Sequence, residues 1–246
     1  MNHAGARLLG GLIGGLVVAA LVACDAGPAA TPIPVIAYGT PIEAGPKPDA
    51  VRCQELIRAD IRAAIRIRTE LMTPGVATDE IAVRAAAADP TTDTTTVGIP
   101  LAAAELRALA RNGIAHEAGD ALSWWVDVGA PERFGGQWTR GAADVVAVVH
   151  GDPATLALAR CVEPANVAYV WADVSLAEGR AVLDRISADT DRWRASGIVI
   201  NILDYDETSG VLQVGVSLPT AEALAKLQEA YGPMVRLVKE EAPTPA

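Results

Sequence analysis

The sequence predicts an α+β fold: a helical N-terminal segment, then two repeated strand–strand–helix–strand (ββαβ) units joined by a long helix. Three observations predict it. Apolar residues recur at helical spacing between Val51 and Leu71. After Arg133 the pattern changes to β-type runs such as Ala143 to His150. Finally, one constant offset superposes two parts of the second half. It carries Val145 onto Val211, Val148 onto Val214 and Pro153 onto Pro219. It also carries Ala157-Leu158-Ala159-Arg160 onto Ala223-Leu224-Ala225-Lys226, and brings Tyr169 and Trp171 near Val235 and Leu237. Element order is kept along with identity, which is what a repeat requires. Residues 50–130 are therefore expected to be helical and 134–240 duplicated, each copy a three-stranded, antiparallel-type sheet backed by a helix.

Asp49 is a natural N-cap for a first helix running to about Met72, where Thr73-Pro74-Gly75 stops it. Arg58, Arg62 and Arg66 stand four residues apart along one face, diluted by Glu55, Asp60 and Glu70, as on a solvated, salt-bridged helix. A second helix is expected from Asp79 to Ala88, and a Pro/Thr/Asp-rich loop from Asp89 to Val97. Pro100 opens a third helix through Leu106 to Arg111, stopped by Asn112-Gly113. Gly119 to Val128 forms a fourth. Gln137 to Arg140 and Ala143 to His150 make a hairpin, and Asp152-Pro153 start a helix to Cys161. Val167 to Ala172 is a strand, and Ser175-Leu176-Ala177-Glu178 is a capping box opening a helix to Ser196. Strands Ile198 to Tyr205 and Val211 to Ser217 flank a turn. A helix from Thr220 to Tyr231, stopped by Gly232, and a strand from Met234 to Lys239 complete the body before the tail 241–246.

Ahead of the body, Arg7 precedes an uncharged run from Leu8 to Ala23. The run is short for a bilayer span, which needs about 20 apolar residues, and its glycines weaken it further. It reads as a signal-peptide core, so residues 1–23 are expected to be removed. The run ends Leu21-Val22-Ala23-Cys24, which resembles the lipobox of bacterial lipoproteins. That resemblance implies cleavage before Cys24 and attachment of two acyl chains of the palmitate kind to it. Two chains anchor stably where one is marginal. Asp25, in the same resemblance, implies retention at the inner membrane of a two-membrane bacterium. Residues 24–49, with Pro28, Pro32, Pro34, Pro41, Pro46 and Pro48, form an extended tether. The expected location is thus the extracytoplasmic face of the cell membrane. Outside the cytoplasm disulfides persist, and Cys53 and Cys161 are the two cysteines left. They are either bridged, closing a loop of roughly 100 residues worth about 4 to 5 kcal/mol, or two buried thiols.

The chain has 246 residues with 20 basic and 30 acidic side chains, a net charge of −10. Such acidity argues against nucleic acid as a partner. Chemistry is weakly signalled. Ser123, Ser175, Ser187, Ser196, Ser209 and Ser217 lack the glycine-flanked elbow of a nucleophile, and Ser175 already has a capping role. His116 and His150 have no nucleophile at a telling spacing and no metal-ligand pattern. Asp204-Tyr205-Asp206-Glu207 with Gly210 has only the opening alternation of a calcium loop and reads as a hairpin turn. No cofactor and no catalysis are expected.

Three stretches carry a further resemblance. They are Gly98-Ile99-Pro100-Leu101 with Glu105-Leu106 and Arg111, Phe134-Gly135-Gly136-Gln137-Trp138, and Val145 to Asp152 with the duplicated order. Together they resemble the pro-domains of secreted α-lytic and streptogrisin-type serine proteases, and more closely the free-standing copies of that domain, over about residues 98 to 240. The resemblance implies binding of another protein through a sheet edge or the C-terminal tail. After residue 240 only a short tail is expected, not a protease domain. The expectation is a membrane-anchored binding or protein-interaction module with an envelope or secreted partner. The alternatives are an inhibitor or folding assistant of a secreted serine protease, or a hydrolase with an unrecognised site.

Overall fold

The structure, a computed structural model, describes residues 40–72, 76–89, 92–94, 96–111, 121–150, 152–164 and 166–240. The signal segment, the lipobox with Cys24, most of the tether, the stops at Thr73-Pro74-Gly75 and Asn112-Gly113, His116 and the tail lie outside the described residues. The chain is mixed α+β, with nine α-helices and two three-stranded sheets among the described residues.

The expected first helix is two: α1 (Ala50–Ala59) and α2 (Ile61–Leu71). The chain breaks at Asp60, which leaves helical geometry at φ −93° and ψ 71°. Its carboxylate instead accepts the Ala63 amide at 3.2 Å and pairs with Arg133 at 2.8 Å. A short acid that can cap competes with the helix interior, and a distant arginine tips the balance. Helix α3 (Glu80–Ala88) is capped by Asp79. Pro100 does not open a helix; Leu101 bridges Asp93 in antiparallel fashion and α4 (Ala103–Arg111) begins later. The acceptor of Glu105 fits that later start, taking the Ala102 amide at 2.7 Å. The expected fourth helix is one α-helical turn, α5 (Ala121–Trp124), continued as a π-turn over Trp125–Gly129, where the Ala130 amide reaches the Trp125 carbonyl at 2.8 Å. Trp125 is fully buried, and its Nε1–H donates to the Gly98 carbonyl at 2.9 Å. Gly98 has φ +69°, and a Cβ there would lie 2.7 Å from that nitrogen, so the loop requires glycine.

Strands β1 (Phe134–Arg140) and β2 (Ala143–Val149) pair antiparallel; α6 (Pro153–Val162) then crosses to β3 (Val167–Ala172), which pairs parallel to β2. Helix α7 (Leu176–Ala188), opened by the Ser175/Glu178 capping box, and α8 (Thr190–Ala195) follow. The long connecting helix is therefore broken at Asp189, whose carboxylate is taken by the Tyr231 hydroxyl at 2.6 Å. In the second sheet β4 (Ile200–Asp206) pairs antiparallel with β5 (Val211–Val216), and α9 (Ala221–Tyr231) crosses to β6 (Val235–Lys239), parallel to β5. Both sheets are mixed, correcting the antiparallel expectation. A helix between two neighbouring strands returns the chain to its starting end, so those strands must run parallel.

One core joins α1, α2, α4 and the first sheet through Ile57, Ile67, Leu109, Trp125, Phe134, Val146, Val148 and Leu158. A second, around Ile186, Trp193, Leu212, Val214, Leu227 and Val235, lies between the second sheet and α7 to α9. Cys53 and Cys161 form a disulfide that fastens α1 to α6, with Cα atoms 5.2 Å apart and a sequence separation of 108.

Candidate functional site

The break at Asp60 creates a cleft. The end of α1, the start of α2, Arg133 and the α6 residues Ala154 and Leu158 line a space of about 390 Å³ open to solvent. Leu56, Ala59, Ile61, Ala154 and Leu158 give it apolar walls, while Arg62 and Arg133 give it positive charge. Arg133 is committed to Asp60. Arg66 donates to the Gly129 carbonyl at 3.1 Å and to Glu132 at 2.7 Å. Arg62 is exposed and makes no ion pair or hydrogen bond among the described residues. Carboxylates nearby register the arginines. Partial burial works against ionising Glu132, yet hydrogen bonds from its own backbone and from Arg66, with the charges of Arg66 and Arg133, hold it below the usual range. Burial likewise opposes ionisation of Asp152. Its bonds from Thr155 and Ala154, with the Arg133 charge, bring it down.

The second feature is the pair of sheet edges. On β3, the outward Tyr169 carbonyl accepts the Ile42 amide at 2.9 Å, and the Trp171 amide donates to the Thr40 carbonyl at 3.3 Å. Residues 40–42 thus cover this edge as a short antiparallel strap, with Pro41 opposite Val170. On β6 the Leu212 amide bonds the Met234 carbonyl, and the Glu240 amide bonds the Val216 carbonyl. The groups of Val235, Leu237 and Lys239 therefore point away from β5. The Gln228 side chain takes the Val235 carbonyl at 3.0 Å. The backbone groups of Leu237 and Lys239 have no partner among the described residues.

A third group lies where the β4–β5 turn meets β1. Glu207 accepts the Gln137 amide at 3.0 Å, beside Gly136 at φ +143°, whose Cβ would fall 2.6 Å from the Glu207 Cβ. Burial pushes the Glu207 carboxyl up, and the nearby Asp127 and Asp204 add to it against the Gln137 amide and Arg180.

The residues singled out from sequence are scattered. His150 pairs with Asp173 at 3.1 Å and stacks on Trp171, and no hydroxyl or thiol bonds to it among the described residues. Ser175 caps α7, Ser209 donates to Asp206 at 2.7 Å, and Ser123 donates to Gln137. Asp206 organises the hairpin turn through Thr208, Ser209 and Gln213. Among the described residues no group of three His, Cys, Asp or Glu could hold a metal ion, and no helix is long and apolar enough to cross a membrane.

Sequence reasoning missed Arg68. Its guanidinium is buried and pairs with Glu105, and it donates to the Ala77 carbonyl at 3.1 Å. The signal was its place in the stripe Ala64, Arg68, Leu71, where an apolar residue belongs. Comparison with family models, curated proteins and solved structures finds no match.

Proposed function

We propose that this chain is a lipid-anchored, extracytoplasmic protein-interaction module built from two copies of one ββαβ unit, and that its partner docks on the outer edge of β6. The duplication is supported by register. The offset that carries Val145 onto Val211 also carries the parallel pair Val146–Tyr169 onto Leu212–Val235, whereas the antiparallel pair Gln137–Val146 answers to Leu203–Val214, two residues further along β5 after a longer turn. It carries the β1 irregularity at Phe134/Gly136 onto the β4 irregularity at Ile200/Ile202.

The observation that carries the docking reading is the difference between equivalent edges. Tyr169 and Trp171 on β3 receive the strap, while Leu237 and Lys239 on β6 present open N–H and C=O groups among the described residues. An extended segment of a partner adds to such an edge through backbone bonds. Location follows from Cys24 in the lipobox and the proline-rich stretch behind it.

Two measurements test the reading. Cys24→Ser should move the protein from the membrane to the soluble fraction; continued membrane association contradicts the anchor. Leu237→Pro removes the edge donor, whereas Leu237→Val keeps it. An envelope protein captured by the wild-type chain and by Leu237→Val should be lost with Leu237→Pro, and equal recovery with all three contradicts edge docking. Stoichiometric slowing of a chymotrypsin-like protease by the added chain selects the inhibitor reading instead.

A further inference from the structure

We propose that the cleft at the α1–α2 break seats the free C-terminal carboxylate of a peptide ending in an apolar residue. The cleft is separate from the β6 edge, so the two readings stand or fall independently. Its volume of about 390 Å³ lies at the small end of ligand sites, roughly 300 to 1,000 Å³. It suits a terminal residue or two, and its open side lets the rest of a peptide leave into solvent.

Charge selects the ligand. Around the cleft Asp60 holds Arg133 and caps α2, Asp152 caps α6, and Glu132 holds Arg66. Every carboxylate there already has its donors. The uncommitted charge is the Arg62 guanidinium, and it stands beside the apolar walls of Leu56, Ile61 and Leu158. A planar guanidinium recognises a carboxylate through two parallel hydrogen bonds. The matching ligand is therefore an acid with an apolar group next to it.

A peptide end fits better than a fatty acid. Asp60 uses one oxygen for the Ala63 amide and the other for Arg133, and each oxygen has a lone pair left. A terminal residue carries an amide N–H close to its carboxylate, so it can donate to Asp60 while its acid meets Arg62. A fatty acid has no such donor.

The test titrates three probes into the full chain and follows the methyl resonances of Leu56, Ile61 and Leu158. The probes are N-acetyl-Ala-Ala-Leu with a free carboxylate, the same peptide as its C-terminal amide, and octanoate. The free acid should give saturable shifts at all three residues with a Kd of about 1 mM or tighter. The amide should bind at least about tenfold more weakly, and so should octanoate. Arg62→Gln should weaken the acid at least about fivefold while leaving methyl resonances remote from the cleft unmoved, because Arg62 holds no other group in place. Absence of saturable shifts, equal binding of the amide, or indifference to Arg62→Gln overturns the proposal. Octanoate binding as tightly as the peptide also overturns it, in favour of a fatty acid.

Discussion

The buried Arg68–Glu105 pair should behave as a unit whose halves are worth less apart than together. The Arg68 side chain is 1% exposed and that of Glu105 16%, so neither charge is relieved by water if the other is removed. Arg68 also donates to the Ala77 carbonyl, while Glu105 accepts the Ala102 amide. One guanidinium thus joins α2, the approach to α3 and the start of α4. Removing one member of a buried pair costs about 3 to 5 kcal/mol, because an uncompensated charge stays in the core. Replacing both by apolar residues of similar volume is often neutral. Arg68→Met and Glu105→Leu should each lower the urea midpoint, followed by circular dichroism, by roughly 1.5 to 2.5 M for a denaturant slope near 2 kcal/mol/M. Arg68→Met combined with Glu105→Leu should lie within about 1 M of wild type, giving a coupling energy of several kcal/mol in the double-mutant cycle. A loss under about 0.5 M in Arg68→Met, or a double variant as damaged as the sum of the singles, refutes the reasoning.

Three further outcomes follow from the same geometry. Replacing Cys53 and Cys161 by alanine should cost about 4 to 5 kcal/mol in urea unfolding, the entropy of freeing a loop of roughly 100 residues; a cost below about 1 kcal/mol would show that the bridge does not restrain the unfolded chain. Glu207 is held above its ordinary carboxylate value by burial, so the fold binds its proton more tightly than the unfolded chain does, and stability falls as pH rises through that raised value. Glu207→Gln should therefore gain on wild type in melting temperature between about pH 4 and pH 8, and a constant difference across that range contradicts the assignment. Asp60→Ala, which removes the α2 cap and strands Arg133, should cost about 1 to 2 kcal/mol, and Asp60→Asn should recover the capping part of it.

What the sequence made legible was what depends on near neighbours. The capping box Ser175–Glu178, the helix start at Asp152-Pro153 and the turn at Asp206 are settled within a few residues, and they stand where expected. The errors share another cause. Asp60 and Asp189 sit inside sequences that read as continuous helices, and each becomes a break through a partner far along the chain, Arg133 in one case and Tyr231 in the other. Arg68 likewise gains its meaning from Glu105, 37 residues away. The parallel pairing of β2 with β3 could have been deduced, since a helix was already placed between them. Which backbone groups of β6 lie open could not, because that depends on register against β5.

The two sheet edges also differ in how they are covered. Unpaired strand edges invite unwanted pairing, and proteins cover them or charge them. Here β3 is covered by Thr40 to Ile42, and a few residues on the Gly45 carbonyl accepts Arg160 at 2.9 Å. The disulfide then fixes α1 to α6 a few residues later. A chain anchored through Cys24 would pass any pull from the membrane into this first sheet. Ordered in series, the load meets two backbone bonds, then an arginine bond, then a covalent bridge. The second sheet, with its uncovered β6, lies beyond that bridge along the chain. Under the proposed anchor at Cys24, the load would enter the first sheet while the proposed docking edge belongs to the second, so the strap could yield without disturbing that edge.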